Sequence, residues 1–345
     1  YHRQGGSHFN PFVYSDIRTI ADHRHRSAHG GARVYLSDAF PEQYRGRIFM
    51  ANIHEHAVLT DILEPQGSGY VGLHGDDFAL ANNAQWIGFS MEIGPEGAVY
   101  ALDWHDADIC GKDVLNKETG RIFRFTAKDS TAEDFANRYA DLTRLDDLSL
   151  AQMQRVNSAW HARHARTILQ ERVATRSLDD AAVQLLRELL TPDQATELRL
   201  RALWTLHVTG QTRPNELVSL LEDHDPYVRA WSIQLLCEDR NTPRVSMDRF
   251  VTMAQADVSA VVRLYLAAAV QRLPGSDKAD VRWSVLESLA GHGEDTADHN
   301  LPKMIWFALE PMVTADPQHA MKLAHQSEIP MLTRFVARRL TDGQQ

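Results

Sequence analysis

Residues 94–125 read GPEGAVYALDWHDADICGKDVLNKETGRIFRF, and the chain changes character across them. Two alternating segments, 98–103 and 121–125, flank a loop that carries acids, a histidine and a cysteine. Alternation of period two places successive side chains on opposite faces, which is the pattern of a half-buried strand. After Phe125 that pattern stops. From Thr131 onward apolar residues recur at intervals of three and four, a helical period. Residues 94–125 therefore read as the last strands of a β region, and their acidic loop is the first place to look for chemistry.

Upstream, ARVYLSD (32–38), GRIFMANI (46–53), HAVLTDIL (56–63) and GSGYVGLHG (67–75) alternate between Pro, Gly and Asp turns, the spacing of meandering antiparallel sheet. FALANNAQWIGFSMEIGPEG leads from one sheet unit to the next. Short strands at regular intervals point to a sandwich or a propeller, and at most two four-stranded units fit between residues 32 and 125, too few to close a ring of blades.

Downstream, ARHARTIL, LRLRALWTL, VRAWSIQLL and VRLYLAAAV align with Arg163, Arg199, Arg229 and Arg263 at one position, 36, 30 and 34 residues apart. Weaker copies carry Lys303 and Arg334. Asp225 and Pro226 open one of these helices by capping free N–H groups and fixing the first turn. Helix pairs at this period stack to bury their apolar faces. They resemble HEAT repeats, whose basic residue pairs with an acid of a neighbouring repeat, and Trp160, Trp204, Trp231 and Trp306 read as packing residues on the apolar faces.

With 345 residues and 43% apolar side chains, the chain is long enough for two domains. The expected fold class is a β plus α multidomain protein: residues 1–128 the final blades of a partial β-propeller, residues 129–345 an α-solenoid of HEAT repeats. A formal charge of −10 opposes the phosphate backbone, so nucleic acid is not an expected partner. No apolar run approaches the roughly 20 residues a membrane span needs, and no transmembrane segment is expected. Cys110 and Cys237 provide neither a disulfide framework nor a haem attachment motif. The chain opens on Tyr1 with no signal-peptide core, and is expected to be a fragment or processed product with any targeting signal upstream.

Within DWHDADIC, Asp103 and His105 share a strand face and Asp106 follows from the turn. A carboxylate beside an imidazole can orient it as a general base, and clustered oxygens such as Asp106 and Asp108 can hold a hard cation. Asp103, with Trp104, reads rather as structure, a tether that accepts backbone N–H bonds, while His105 and Asp106 carry both readings. In NIHEH, His54 and His56 share a strand face with Glu55 between them, and with a third ligand they could bind a metal. His74, Asp76 and Asp77 in GLHGDD, on what reads as a turn, carry the same two readings. His23, His25 and His29 lie in a polar loop with no Cys partner.

Taken together, SDAFPEQYRGRIFMANIHEHAVLTDIL, GSGYVG, GPEGAVYALDWHDADIC and TGRIFRF resemble a large bacterial group of membrane-bound dehydrogenases related to glucose/sorbosone dehydrogenases. The matching positions are His29, Asn52, His54, Gly94, Pro95, Gly97, Asp103, Trp104, Asp106 and Cys110. Ser27 stands where the group usually carries a second histidine. The resemblance implies a propeller with pyrroloquinoline quinone and Ca²⁺, followed by HEAT-like repeats and commonly by a c-type cytochrome domain.

It further implies a periplasmic or extracytoplasmic location, a carbohydrate or alcohol substrate and a cytochrome as electron acceptor. On that reading His54 and His105 are the catalytic candidates, with Asp106 orienting one of them or, with Asp108, holding Ca²⁺. Two other readings stay open. One is a non-catalytic module that binds protein on the helical surface or carbohydrate on the β part; the other is a metal-dependent hydrolase.

Overall fold

The structure, a computed structural model, describes residues 29–106, 118–273, 275 and 278–341. Alternating segments become strands. β1 (His29–Val34), β2 (Ile48–Asn52), β3 (Ala57–Gln66) and β4 (Gly69–Leu80) form a four-stranded sheet in chain order. β5 (Gly88–Ile93), β6 (Val99–Asp103) and β7 (Arg121–Phe125) form a three-stranded one. Pairing is antiparallel, with Phe49 opposite Thr60 in the first sheet and Ala101 opposite Phe123 in the second. The expected turn at His74, Asp76 and Asp77 is instead part of β4.

This arrangement overturns the expected partial propeller. The strands make two small open sheets of four and three strands, and neither is a blade of a ring. Alternation specifies which face of a strand is buried but not what covers it, so the same pattern serves a blade or two sheets packed on each other. Here the inner faces share one aromatic core, in which Tyr35, Phe49, Trp86, Met91 and Val99 are buried. Tyr35 links the two sheets. Its hydroxyl donates to the carbonyl of Gly97 at 2.9 Å and accepts the N–H groups of Ala39 and Phe40. At Gly30 the backbones approach so closely that a Cβ would lie 2.7 Å from the Gly88 oxygen, which explains the absence of a side chain there.

The chain folds as two compact units, Tyr1–Glu64 with Val71–Leu185, and Pro65–Tyr70 with Leu186–Gln345. In the first, α1 (Asp147–Gln152) and α2 (Ala159–Val173) join the sheets, and α3 (Asp180–Leu189) carries the boundary. The N–H of Ala159 donates to the carbonyl of Leu36 at 2.8 Å. Two buried carboxylates organise this unit. Asp38 accepts two hydrogen bonds from Arg138 at 2.8 Å, and Asp147 accepts from Arg172, Arg176 and the N–H of Asp179.

In the second unit lie α4 (Thr196–Val208), α5 (Pro214–Leu220), α6 (Pro226–Leu236), α7 (Arg244–Ala256) and α8 (Ala260–Val270). α9 (Ala279–Ala290), α10 (Leu301–Ala315), α11 (Pro317–Gln326) and α12 (Pro330–Thr341) complete it. α4, α6, α8, α10 and α12 pack in succession as one layer, and α7, α9 and α11 as a second. The repeated arginines explain the regularity. Arg199 pairs with Asp223, Arg229 with Asp257, and Arg263 with Asp295, each acid lying ahead of the next helix of the first layer. Each guanidinium also donates to a loop carbonyl, of Leu190, Asp223 and Asp257 respectively.

A fork of fixed donors therefore ties each helix to the turn that starts the next one. Asp225 extends the ladder by capping the N–H groups of Tyr227 and Val228. Arg163 is exposed in α2 and makes no such pair among the described residues. Trp204 and Trp231 meet edge to face at 4.9 Å, and Trp306 is buried against Phe335, so these indoles are packing residues. The strand-turn residues Pro65–Tyr70 belong to this unit too. Asp298 accepts the N–H and hydroxyl of Ser68, both at 2.7 Å, and the N–H groups of Asn300 and Leu301 at the start of α10.

Candidate functional site

The polar residues singled out in the β region turn out to be organised by backbone geometry. At the end of β2, Asn52 is fully buried, and its side-chain oxygen accepts the N–H groups of His54 and Glu55, both at 3.0 Å. Its amide donates to Glu55 at 2.9 Å and to the His29 ring at 3.4 Å. This asparagine closes the turn that presents His54 to solvent. His56 follows with φ of +51°, and its Nδ1 lies 2.7 Å from the carbonyl oxygen of Trp86. A carbonyl can only accept, so Nδ1 carries the proton and Nε2 is the acceptor of the neutral ring.

The loop after β6 is built in the same way. Asp103 is 3% exposed; one oxygen accepts the N–H groups of Ile87 at 2.7 Å and His105 at 2.9 Å. The other accepts Nε and Nη2 of Arg121 at 2.9 and 2.7 Å. Asp103 is thus a tether across β5, β6 and β7. His105 sits at φ of +52°, with Nδ1 2.7 Å from the hydroxyl of Thr119, and Asp106 is fully buried. Asp108, proposed with Asp106 as a cation ligand, and Cys110 lie outside the described residues, as do His23 and His25. Among the described residues no three His, Cys, Asp or Glu side chains are grouped to hold one metal ion.

Trp104 is half exposed and meets Phe89 at 5.9 Å on the outer face of the second sheet. His74 lies 3.4 Å from Asp77 and 3.9 Å from Asp61 within the first sheet.

Sequence reasoning missed the cavity beside these tethers. It measures about 260 Å³ and is walled by Val58, Trp86, Phe123 and Phe125, with His56, Asn83 and Arg121 as its polar lining. The residues come from the turn into β3, β3 itself, the end of β4 with Ala79, the turn before β5, and β7. Two signals were in the text: Trp86 sits in a polar turn, and Arg121 opens a strand whose next inward residue is Phe123. Neither shows that the segments meet.

Quinone and Ca²⁺ can be tested against this donor set. Pyrroloquinoline quinone is a flat tricarboxylate that needs several free cations, whereas the cavity offers one guanidinium, already paired with Asp103. The carboxylate beside it, Asp103, is engaged by the N–H groups of Ile87 and His105. The lining of this cavity does not fit the quinone.

A family model described as a domain of unknown function (DUF7133) matches residues 3–136. No curated protein and no solved structure matches the chain.

Proposed function

We propose that this chain is a supporting, non-catalytic part of a quinone-dependent sugar or alcohol dehydrogenase of extracytoplasmic location, with cofactor and substrate held outside the described residues. Resemblance to the dehydrogenase group motivates the enzyme class. The observation that carries the supporting role is the use of the motif residues: Asn52 and Asp103, both buried, are saturated with backbone N–H groups and Arg121. A carboxylate so engaged has no lone pair left to steer an imidazole through a reaction. The helical stack then serves as a surface for the electron-accepting cytochrome, as extended helical repeats commonly do for protein partners.

The test is dye reduction by the full-length gene product supplied with quinone and Ca²⁺ over a broad panel of sugars and alcohols. Sugar-dependent turnover that survives His54→Ala and His105→Ala supports the reading. A loss of about 100-fold or more in either variant makes these histidines catalytic and overturns it. No turnover on any substrate removes the dehydrogenase class.

A second reading, a protein-binding module without any enzyme, is favoured by the apolar side chains the helical unit leaves in solvent, Phe307 and Met321 at 53% and 51% exposure. Retention of a defined partner by the full chain, lost on Phe307→Glu, distinguishes it.

A further inference from the structure

We infer that the cavity beside Asp103 is a binding site for a small flat-ringed carboxylate that carries a ring hydroxyl, a ligand of hydroxybenzoate type. This inference stands apart from the dehydrogenase reading, since it rests only on the lining of the cavity. The volume of about 260 Å³ lies just under the range for drug-sized ligands and suits a single ring. The lining is mostly apolar, with Ala79, Leu80, Trp86, Phe123 and Phe125 around the space. Trp86 and Phe123 meet edge to face at 6.5 Å, leaving aromatic surface on two sides. Aromatic rings prefer offset or edge contacts with such walls, so a flat ring gains over a bulky aliphatic one.

The polar groups set the ligand's ends. Arg121 gives Nε and Nη2 to Asp103 and makes no hydrogen bond through Nη1 among the described residues. Its guanidinium is held in place by a carboxylate that is itself fully buried, and stacks 5.1 Å from the centre of Phe123. Asn83 accepts the N–H of Gln85 at 2.9 Å with its oxygen, and its amide nitrogen makes no hydrogen bond among the described residues. Arg121 and Asn83, both in the cavity lining, each keep a donor there, and two such donors match the oxygens of a carboxylate.

His56 supplies the opposite polarity. Its proton is committed to the Trp86 carbonyl at 2.7 Å, so Nε2 is left as the acceptor. A ring hydroxyl is the complementary donor. The left-handed backbone of His56, at φ of +51°, is the kind of strain that persists where the surroundings hold a side chain in one place. Neither the aromatic lining nor the single acceptor matches a ligand with hydroxyls on every carbon.

Titration calorimetry and ligand-observed NMR on the full chain decide the matter, with 4-hydroxybenzoate as probe and benzoate, phenol and glucose as comparisons. The expected result is a Kd for 4-hydroxybenzoate of about 1 mM or tighter, with benzoate weaker by about tenfold, as for one lost hydrogen bond, and phenol, which gives up both bonds to the carboxylate, weaker by about tenfold or more. Asn83→Ala should weaken the probe about tenfold. Ala79→Leu, which adds bulk to the cavity wall, should abolish binding while the unfolding midpoint stays near that of the parent. No binding of 4-hydroxybenzoate at 10-fold above that Kd, binding undiminished in Ala79→Leu, or glucose bound more tightly than the probe each overturns the proposal. Arg121→Gln also loosens Asp103, so the filled cavity of Ala79→Leu is the deciding variant.

Discussion

Replacing Asp295 by leucine strips Arg263 of its buried partner and probes the device that sets the helical stack in register. Both side chains are 4% exposed, and the contact is bidentate, with Nε to one carboxylate oxygen at 2.7 Å and Nη2 to the other at 2.6 Å. Burial alone would lower the Arg263 pKa, but the hydrogen bonds and charge of Asp295 outweigh it and raise the value; without Asp295 the guanidinium still keeps its proton, because arginine is not deprotonated inside proteins. A buried cation left with only the exposed Glu294 carboxylate, 3.6 Å away, costs up to about 3–5 kcal/mol. With a urea m-value of about 3 kcal/mol/M, the midpoint of the helical transition should fall by about 1–1.7 M at unchanged m.

Arg263→Met leaves the Asp295 carboxylate alone and should lose as much. The double variant removes both charges and leaves only the Asp257 carbonyl short of a donor, since Arg263 Nη1 reaches it at 2.8 Å. That loss is about 1–2 kcal/mol, far below the sum of the single variants. The assay is urea denaturation of the full chain followed by far-UV circular dichroism. Single variants that each lose less than about 1 kcal/mol, or a double variant equal to their sum, refute the ladder as the source of register. A control is at hand in Arg244 and Asp280, whose side chains are 58% and 61% exposed, where removal should change stability by about 0–1 kcal/mol.

Two further outcomes follow from the first unit. Asp103→Ala should destabilise it by about 3 kcal/mol or more, because the N–H groups of Ile87 and His105 lose their acceptor along with Arg121; His105→Gly, at φ of +52°, should be neutral or stabilising by up to about 1 kcal/mol. Thermal melts separate the two, and equal losses would show that the histidine ring rather than the aspartate holds the loop. Acid should unfold this unit through Asp38 and Asp147. The hydrogen bonds from Arg176 hold Asp147 well below the ordinary 3.8, and at Asp38 the Arg138 and Glu133 donors outweigh a burial effect of opposite sign. Depressed folded values mean the unfolded chain takes up protons first. Stability is therefore full above about pH 4 and is lost as pH falls toward the folded values. Asp147→Asn should be less stable at pH 7 and lose less between pH 5 and 2; a parallel fall in both proteins would exclude Asp147.

The β strands and the helical stack were legible because each is written in a local period. Alternation in GRIFMANI and HAVLTDIL became β2 and β3, and the recurrence of Arg199, Arg229 and Arg263 became a ladder of ion pairs. Asp103 was readable as a tether because aspartate after a strand satisfies nearby N–H groups by its own short reach. The acids that complete the ladder were less visible, since the distance from arginine to partner varies with the length of each outer helix and loop.

The sheet architecture and the cavity belong to the other category. Alternation shows that Tyr35, Phe49, Trp86 and Val99 face inward, yet it is silent on whether they meet a neighbouring blade or each other, and here they meet each other in one core. His56, Asn83 and Arg121 are far apart in sequence, and only the packing of β7 against that core brings them to the lining of one cavity. Local patterns state what a segment must bury or cap; which distant segment answers that need is decided by shape and volume in the folded chain.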